Sequence, residues 1–128
     1  MNTNVLTISF LRATGWVAET IQQQRGPVRY DPFGGDILAI HPSSEDTRLI
    51  NACRAGRDMK DHMRRYRGFY PLSVWLRGGD RVFALYAWRK VKPRKKKPYL
   101  VLTISRAMFG GTWQDEGVYA CRMNGAPL

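Results

Sequence analysis

The chain has 128 residues, and its 21 Lys and Arg residues against 10 Asp and Glu residues give a formal net charge of +11 at neutral pH. This length suits one domain over residues 1–128, and 44% hydrophobic residues can build a packed core, which excludes a wholly disordered chain. No apolar run approaches the roughly 18–20 residues of a membrane span, and the N-terminus lacks a signal-peptide pattern, so we expect a cytoplasmic protein without a membrane partner. The two cysteines, Cys53 and Cys121, are too few for a disulfide framework or a four-cysteine zinc site.

The first half of the chain predicts one helix followed by three strands. A helix is expected to start at a cap at Thr3 or Asn4 and to end near Arg12, with Gly15 in a left-handed turn after it. The glycine- and proline-rich stretch 22–35 is predicted to be a loop. Apolar patterning predicts the three strands over 16–21, 36–40 and 48–53.

The second half predicts another helix and further strands. The spacing of Met59, Met63 and Tyr66 predicts a helix over 58–67, with Asp58 as its cap. Alternation predicts strands over 72–77, 81–91, 100–104 and 118–123, the first two joined by a hairpin-type turn at 78–80. The whole order is typical of an α/β domain with a mixed central β-sheet flanked by helices.

Positive charge is concentrated in the middle and later part of the chain. Residues 54–106 contain 16 basic residues against three acidic ones, and the remainder contains five against seven. Such segregation favours a polyanion, because each phosphate that is neutralised releases condensed counterions. We therefore expect a nucleic-acid partner, DNA in preference to RNA. The residues expected to bind it are Arg64, Arg65, Arg67, Arg89, Lys90, Lys92, Arg94, Lys95, Lys96 and Lys97.

The densest basic stretch is Arg89–Lys97, which holds seven of these residues between Trp88 and Tyr99. Pro93 within this stretch and Pro98 directly after it keep it out of a sheet interior. Mobile lysines suit phosphate binding, which needs positive charge without fixed geometry. A solvated hairpin tip that discourages pairing with other strands is the alternative interpretation of the same stretch.

About residues 5–91 resemble the PD-(D/E)xK restriction-endonuclease-like superfamily, especially its small resolvase-like and phage-type members. Residues 15–19, GWVAE, are similar to the family's passage from the first helix into the first strand. Residues 33–40, FGGDILAI, look like its glycine-preceded aspartate opening the second strand. The resemblance implies a restriction-endonuclease-like fold, followed here by a basic hairpin and C-terminal strands over 89–128. It also suggests a phage or mobile-element origin.

The resemblance implies a metal-dependent centre that this chain has partly lost. Such nucleases hold Mg²⁺ with an Asp and a second acid, and a lysine two residues further on helps to activate water. Asp36 matches the first acid and is the candidate catalytic and metal-binding residue, whereas Asn51 and Cys53 stand in place of the second acid and the lysine. Both should lie on one strand face that looks toward Asp36. Glu19 and Asp31 are alternative sources of a second carboxylate.

An eroded centre favours a nucleic-acid-binding protein or inhibitor, without a cofactor, over an efficient enzyme. Three alternatives stay open. One is a working Mg²⁺-dependent DNA endonuclease or resolvase, and a second is a ribonuclease toxin that uses Tyr86, Arg89 and Lys90. The third is an inhibitor that binds a host nucleic-acid machine as its protein partner. A homodimer also stays open.

Overall fold

The computed structural model describes residues 1–21, 23–25, 28–30 and 32–128, and the side chains of 1–21 and 33–128. The elements in chain order are α1 Thr3–Ala13, β1 Val17–Thr20, β2 Gln23–Arg25, β3 Val28–Tyr30, a 3₁₀ turn Pro32–Gly34, β4 Ile37–Ile40, β5 Thr47–Arg54, α2 Arg57–Tyr66, α3 Tyr70–Leu76, β6 Arg81–Val91, β7 Tyr99–Ala107 and β8 Trp113–Cys121. None of the described helices has both the length and the apolar character needed to cross a membrane.

Six of the strands form one mixed sheet in the order β1-β4-β5-β6-β7-β8. Neighbouring strands are antiparallel except β5 and β6, which run parallel and are joined through α2 and α3. The short strands β2 and β3 pair with each other in a separate two-stranded antiparallel sheet. The protein is therefore a small α/β domain with a mixed sheet and three helices, which confirms the predicted fold class at this level.

Two apolar clusters lie on the two faces of the sheet. Helix α1 packs on one face, over a cluster that includes Ile50 and Trp88, and α2 and α3 pack on the other, over a cluster that includes Leu49 and Phe83. Leu49 and Ile50 are neighbours in β5 and belong to different clusters, because successive strand residues point to opposite faces. Strands β5 and β6 are buried on both faces over most of their length, so they form the centre of the sheet.

A buried hydrogen bond holds α1 against the sheet. Trp88 Nε1 donates to Thr7 Oγ1 at 2.9 Å, and both residues are fully buried. The Thr7 hydroxyl donates in turn to the Thr3 carbonyl at 2.7 Å. The indole N–H, which would be costly to bury unpaired, thus finds its partner on the helix.

The largest departure from the sequence-based prediction is α3. The sequence predicts a strand over 72–77, whereas the chain is helical over Tyr70–Leu76. Leu72 and Leu76 are four residues apart, so they share one helix face as readily as they alternate in a strand, and both pack in the α2-side cluster. Pro71 lies in the first helical turn, where proline is well tolerated. The turn at 78–80 consequently joins a helix to β6 and is not a hairpin turn.

Smaller differences occur at the other boundaries. Stretch 22–35, expected to be a loop, includes β2, β3 and the 3₁₀ turn. Helix α1 is capped by Asn2, whose side chain accepts from the Val5 N–H at 3.1 Å, and α2 begins after Gly56 instead of at an Asp58 cap. Gly15 has the expected left-handed backbone, with φ +96°.

Candidate functional site

Asp36 is a buried residue immediately before β4. Its N–H donates to the Ile50 carbonyl and its carbonyl accepts from the Ile21 N–H, each at 2.8 Å, so its backbone is fixed by pairing on both sides. The next residue, Ile37, belongs to the α1-side cluster, and the Asp36 side chain therefore points to the opposite face, toward α2. Only 6% of Asp36 is exposed.

Two glycines allow the chain to reach this position. Gly34 has φ +88°, a backbone that favours glycine, and a Cβ there would lie 2.8 Å from a ring carbon of Tyr66. A Cβ on Gly35 would lie 2.4 Å from Cγ of Leu49. The Gly-Gly pair before Asp36 thus lets the backbone pass between α2 and β5, which explains why the stretch reads Phe33-Gly34-Gly35-Asp36.

Asp36 belongs to a buried group of polar side chains, which we call the polar centre: Asp36, Asn51, Tyr66 and the Gly34 carbonyl. Asn51 Nδ2 donates to Asp36 Oδ1 at 3.3 Å and to the Gly34 carbonyl at 3.2 Å. The Tyr66 hydroxyl donates to the same carbonyl at 2.8 Å. Asn51 Oδ1 accepts no hydrogen bond from the described residues. The structure therefore brings Asp36, just before β4, together with Asn51 on β5.

Cys53 lies two residues beyond Asn51 on the same strand and is buried. Burial raises the pKa of its thiol to about 12, and the charges of Asp58 and Asp36 raise it further in smaller measure. The thiol is consequently neutral at physiological pH, so it supplies neither the cation that a lysine would bring nor a thiolate ligand.

The alternative carboxylates do not complete a metal site among the described residues. Glu19 is exposed on β1 and pairs in register with Leu38, two residues beyond Asp36. Asp31 lies outside the described residues. In the described part of the chain, no group of three or more His, Cys, Asp or Glu side chains is arranged to hold a metal ion.

The basic hairpin, residues 89–97, consists of the last residues of β6 and the turn that leads to β7, and its Arg89 and Lys90 still pair with β7. All seven of its Lys and Arg side chains are exposed. The ion pairs between described side chains are Arg48–Glu116 and Arg64–Asp61, so no described acidic residue neutralises the hairpin. Arg54 and Arg57 add positive charge beside the basic hairpin. Arg54 pairs in register with Trp88, which directly precedes the hairpin, and α2 begins three residues later at Arg57. Sequence patterning missed these two arginines, whose position depends on the parallel pairing of β5 with β6.

The basic residues at the end of α2 lie elsewhere. The Ala55 N–H donates to the Trp88 carbonyl at 2.9 Å, so α2 starts beside the hairpin and then runs away from it. At about 1.5 Å per residue, Arg64 lies roughly 10 Å further along the helix axis than Arg57. Arg64, Arg65 and Arg67 are exposed and form a second basic surface at the far end of α2. The basic residues that the sequence analysis assigns to nucleic-acid binding therefore lie on two separate surfaces.

A further polar cluster on the α1 face was not predicted. Arg48 forms a two-point ion pair with Glu116, with Nη1 2.9 Å from Oε2 and Nη2 bonded to Oε1, and its Nη1 lies 3.4 Å from the Tyr86 hydroxyl. Its guanidinium also stacks 5.1 Å from the Trp16 ring centroid. Burial raises the pKa of Tyr86 to about 12, although Arg48 opposes this shift. This cluster ties β5 to β8 inside the domain.

The same cluster bears on the ribonuclease-toxin alternative. Tyr86 is only 2% exposed and hydrogen-bonded to Arg48, whereas Arg89 and Lys90 are exposed on the basic hairpin. Four residues of extended strand separate Tyr86 from Lys90 by about 13 Å. The three residues do not form one exposed reaction site.

Comparisons of the chain with protein-family models, curated proteins and solved structures gave no match. Its function therefore has to be inferred from its own residues.

Proposed function

We propose that the protein binds nucleic acid, DNA in preference to RNA, through the basic hairpin, on a restriction-endonuclease-like fold whose catalytic centre is eroded. The observation that carries this proposal is the exposed charge of the hairpin. Seven cations occupy nine residues, and none of them pairs with a described acidic side chain. Like charges so close together repel one another, and phosphates along a nucleic-acid backbone would relieve that repulsion while releasing counterions.

The topology supports the fold part of the proposal. Helix α1 leads into three antiparallel sheet strands, β1, β4 and β5, and a helical crossover then leads to β6, parallel to β5. Helices lie on both faces of the sheet. Asp36 immediately precedes the second of the three sheet strands and Asn51 lies on the third, an order that supports the family resemblance.

The chemistry of the polar centre supports the proposal that the catalytic centre is eroded. Mg²⁺ prefers an octahedral set of oxygen ligands that usually includes carboxylates. Here Asn51, a neutral amide, directs its N–H groups at Asp36 Oδ1 and the Gly34 carbonyl, so the position of the expected second acid supplies no carboxylate. This donor set fits Mg²⁺ poorly. A nucleic-acid-binding protein is therefore better supported than an efficient nuclease.

Fluorescence anisotropy with labelled duplex DNA and RNA in EDTA tests the proposal. Replacing Arg94, Lys95, Lys96 and Lys97 with alanine should weaken DNA binding by at least about tenfold, because up to four phosphates are no longer neutralised. Arg81→Ala, which removes an exposed positive charge at the opposite end of β6, is the control and should have little effect. Equal binding by the wild type and the fourfold variant would contradict the proposal.

A plasmid-nicking assay with Mg²⁺ separates the binding protein from the nuclease alternative. We expect no nicking above the background in EDTA. Mg²⁺-dependent nicking by the wild type that Asp36→Ala abolishes would establish the nuclease instead.

A further inference from the structure

We propose that an apolar groove on the α2 face receives an unpaired nucleobase of the bound nucleic acid. The groove lies between the α2–α3 junction and the turn that joins β7 to β8, and its volume is about 330 Å³. Its walls include Tyr66, Phe69, Leu72, Met108, Phe109 and Trp113. This inference rests on the proposed nucleic-acid binding and adds a single-stranded or extruded base as the specific ligand.

Three of the aromatic side chains in the walls, Tyr66, Phe69 and Trp113, are packed together without a ligand. The Tyr66 ring lies 6.2 Å from the Phe69 ring and 6.5 Å from the Trp113 ring, at interplanar angles of 47° and 48°. Tyr66 is itself fixed by its hydrogen bond to the Gly34 carbonyl and by an edge contact with Phe83, with the ring centroids 5.0 Å apart. A fixed aromatic wall suits stacking, because every base has a flat apolar face.

The rim of the groove exposes apolar rings to solvent. Phe109 is 70% exposed at the tip of the β7–β8 turn, and Phe69 is 36% exposed in the wall that the α2–α3 junction forms. Exposed apolar groups gathered around one groove are typical of a binding site. A base between Phe109 and the Tyr66–Phe69 wall would cover them.

Charge complementarity selects a nucleotide over an apolar peptide as the occupant. The residues that line the groove include Arg67 and no acidic residue. Arg65 lines a smaller cavity beside it, together with Gly34, Tyr66 and Phe69. These arginines belong to the second basic surface, so an apolar slot for a base lies next to cations for its phosphates. An apolar peptide carries no negative charge that could pair with these arginines.

The groove also adjoins the polar centre. Tyr66 forms a groove wall with its ring, while its hydroxyl reaches the Gly34 carbonyl that Asn51 also contacts. A base in the groove would therefore lie against Tyr66, the residue that connects the groove to the polar centre. The second basic surface then has a role distinct from that of the basic hairpin, since it would hold a strand whose base has left the stack.

Binding of a labelled single strand and of the matching duplex tests this inference. Phe109→Ala should weaken binding to the single strand by roughly five- to tenfold, because one stacking ring is removed, and should leave duplex binding unchanged. Phe109→Trp keeps a ring and should restore single-strand binding. Val118→Ala, an equally exposed apolar residue on β8, is the matched control. Thermal melts check that each variant is folded.

The outcomes separate this inference from the proposed function. Selective loss of single-strand binding in Phe109→Ala, with recovery in Phe109→Trp, supports the groove. If Phe109→Ala binds the single strand as the wild type does, while the fourfold hairpin variant loses binding, the groove inference is overturned and the proposed function stands. If the wild type binds neither probe, the proposed function fails and the inference fails with it.

Discussion

Asn51 donates its side-chain amide to Asp36 across the start of β4 and the middle of β5, with 3.3 Å between Nδ2 and Oδ1. Both residues are almost completely buried. A neutral donor at this distance stabilises the Asp36 carboxylate, whereas a second carboxylate would repel it unless a metal ion lay between the two. We therefore expect the identity of residue 51 to determine whether these two side chains form an internal hydrogen bond or, as two carboxylates, bind a metal ion.

Replacing Asn51 with Asp should expose that difference. Without metal, Asn51→Asp should lower the free energy of unfolding at neutral pH by about 2–4 kcal/mol, through desolvation and repulsion from Asp36. Mg²⁺ or Mn²⁺ should then raise its melting temperature more than that of the wild type. Asn51→Leu, which removes the amide without adding charge, should show no such metal effect. Equal metal responses in all three proteins would show that the two positions cannot share an ion.

Cys53 should be inert while the protein is folded and should make stability depend on alkaline pH. Its folded pKa is about 12 against an ordinary value of 9.0, because the thiol is buried. Between pH 9 and 12 the folded state keeps a proton that the unfolded state releases, so this contribution to stability is complete below pH 9 and is lost as the pH rises. Urea unfolding across this range should therefore show a steeper decline for the wild type than for Cys53→Ala. Parallel declines would mean that the thiol is not buried as described.

Thr7 should matter for stability and not for binding. Thr7→Val keeps the shape of the side chain but leaves the Trp88 N–H without its partner, so we expect a loss of about 1–3 kcal/mol in the free energy of unfolding. Thr7→Ser keeps the hydroxyl and should lose less. Urea unfolding measures both variants, and anisotropy should give an unchanged DNA affinity. A Thr7→Val protein as stable as the wild type would show that this bond contributes little.

Local patterns in the sequence predicted the central strands, α1 and α2, because those segments have a clear period of two or of about 3.6 residues. The expectation that Asn51 lies beside Asp36 came from the family resemblance and not from these patterns. They failed at α3, where Leu72 and Leu76 fit either period and the decision depends on packing against β6. Local periodicity cannot resolve such a segment.

Long-range relationships were beyond the reach of the sequence. Arg48 and Glu116 are 68 residues apart, and their pairing depends on a register shift between β7 and β8 that places Glu116 outside the regular pairing. The separation of the basic residues into two surfaces depends in turn on the direction of α2, which is set by the parallel pairing of β5 with β6. The distribution of charge along the sequence does not give the direction of a helix in the fold.

The salt dependence of DNA binding tests the central claim most directly. The logarithm of the association constant should fall linearly with the logarithm of the salt concentration between about 50 and 200 mM. If the basic hairpin neutralises phosphates, replacing Arg94, Lys95, Lys96 and Lys97 with alanine should reduce the slope by roughly 0.9 for each phosphate that is no longer neutralised, up to about 3.6 in all. A slope identical in the wild type and the fourfold variant would contradict the account, because it would mean that the hairpin is only a solvated tip.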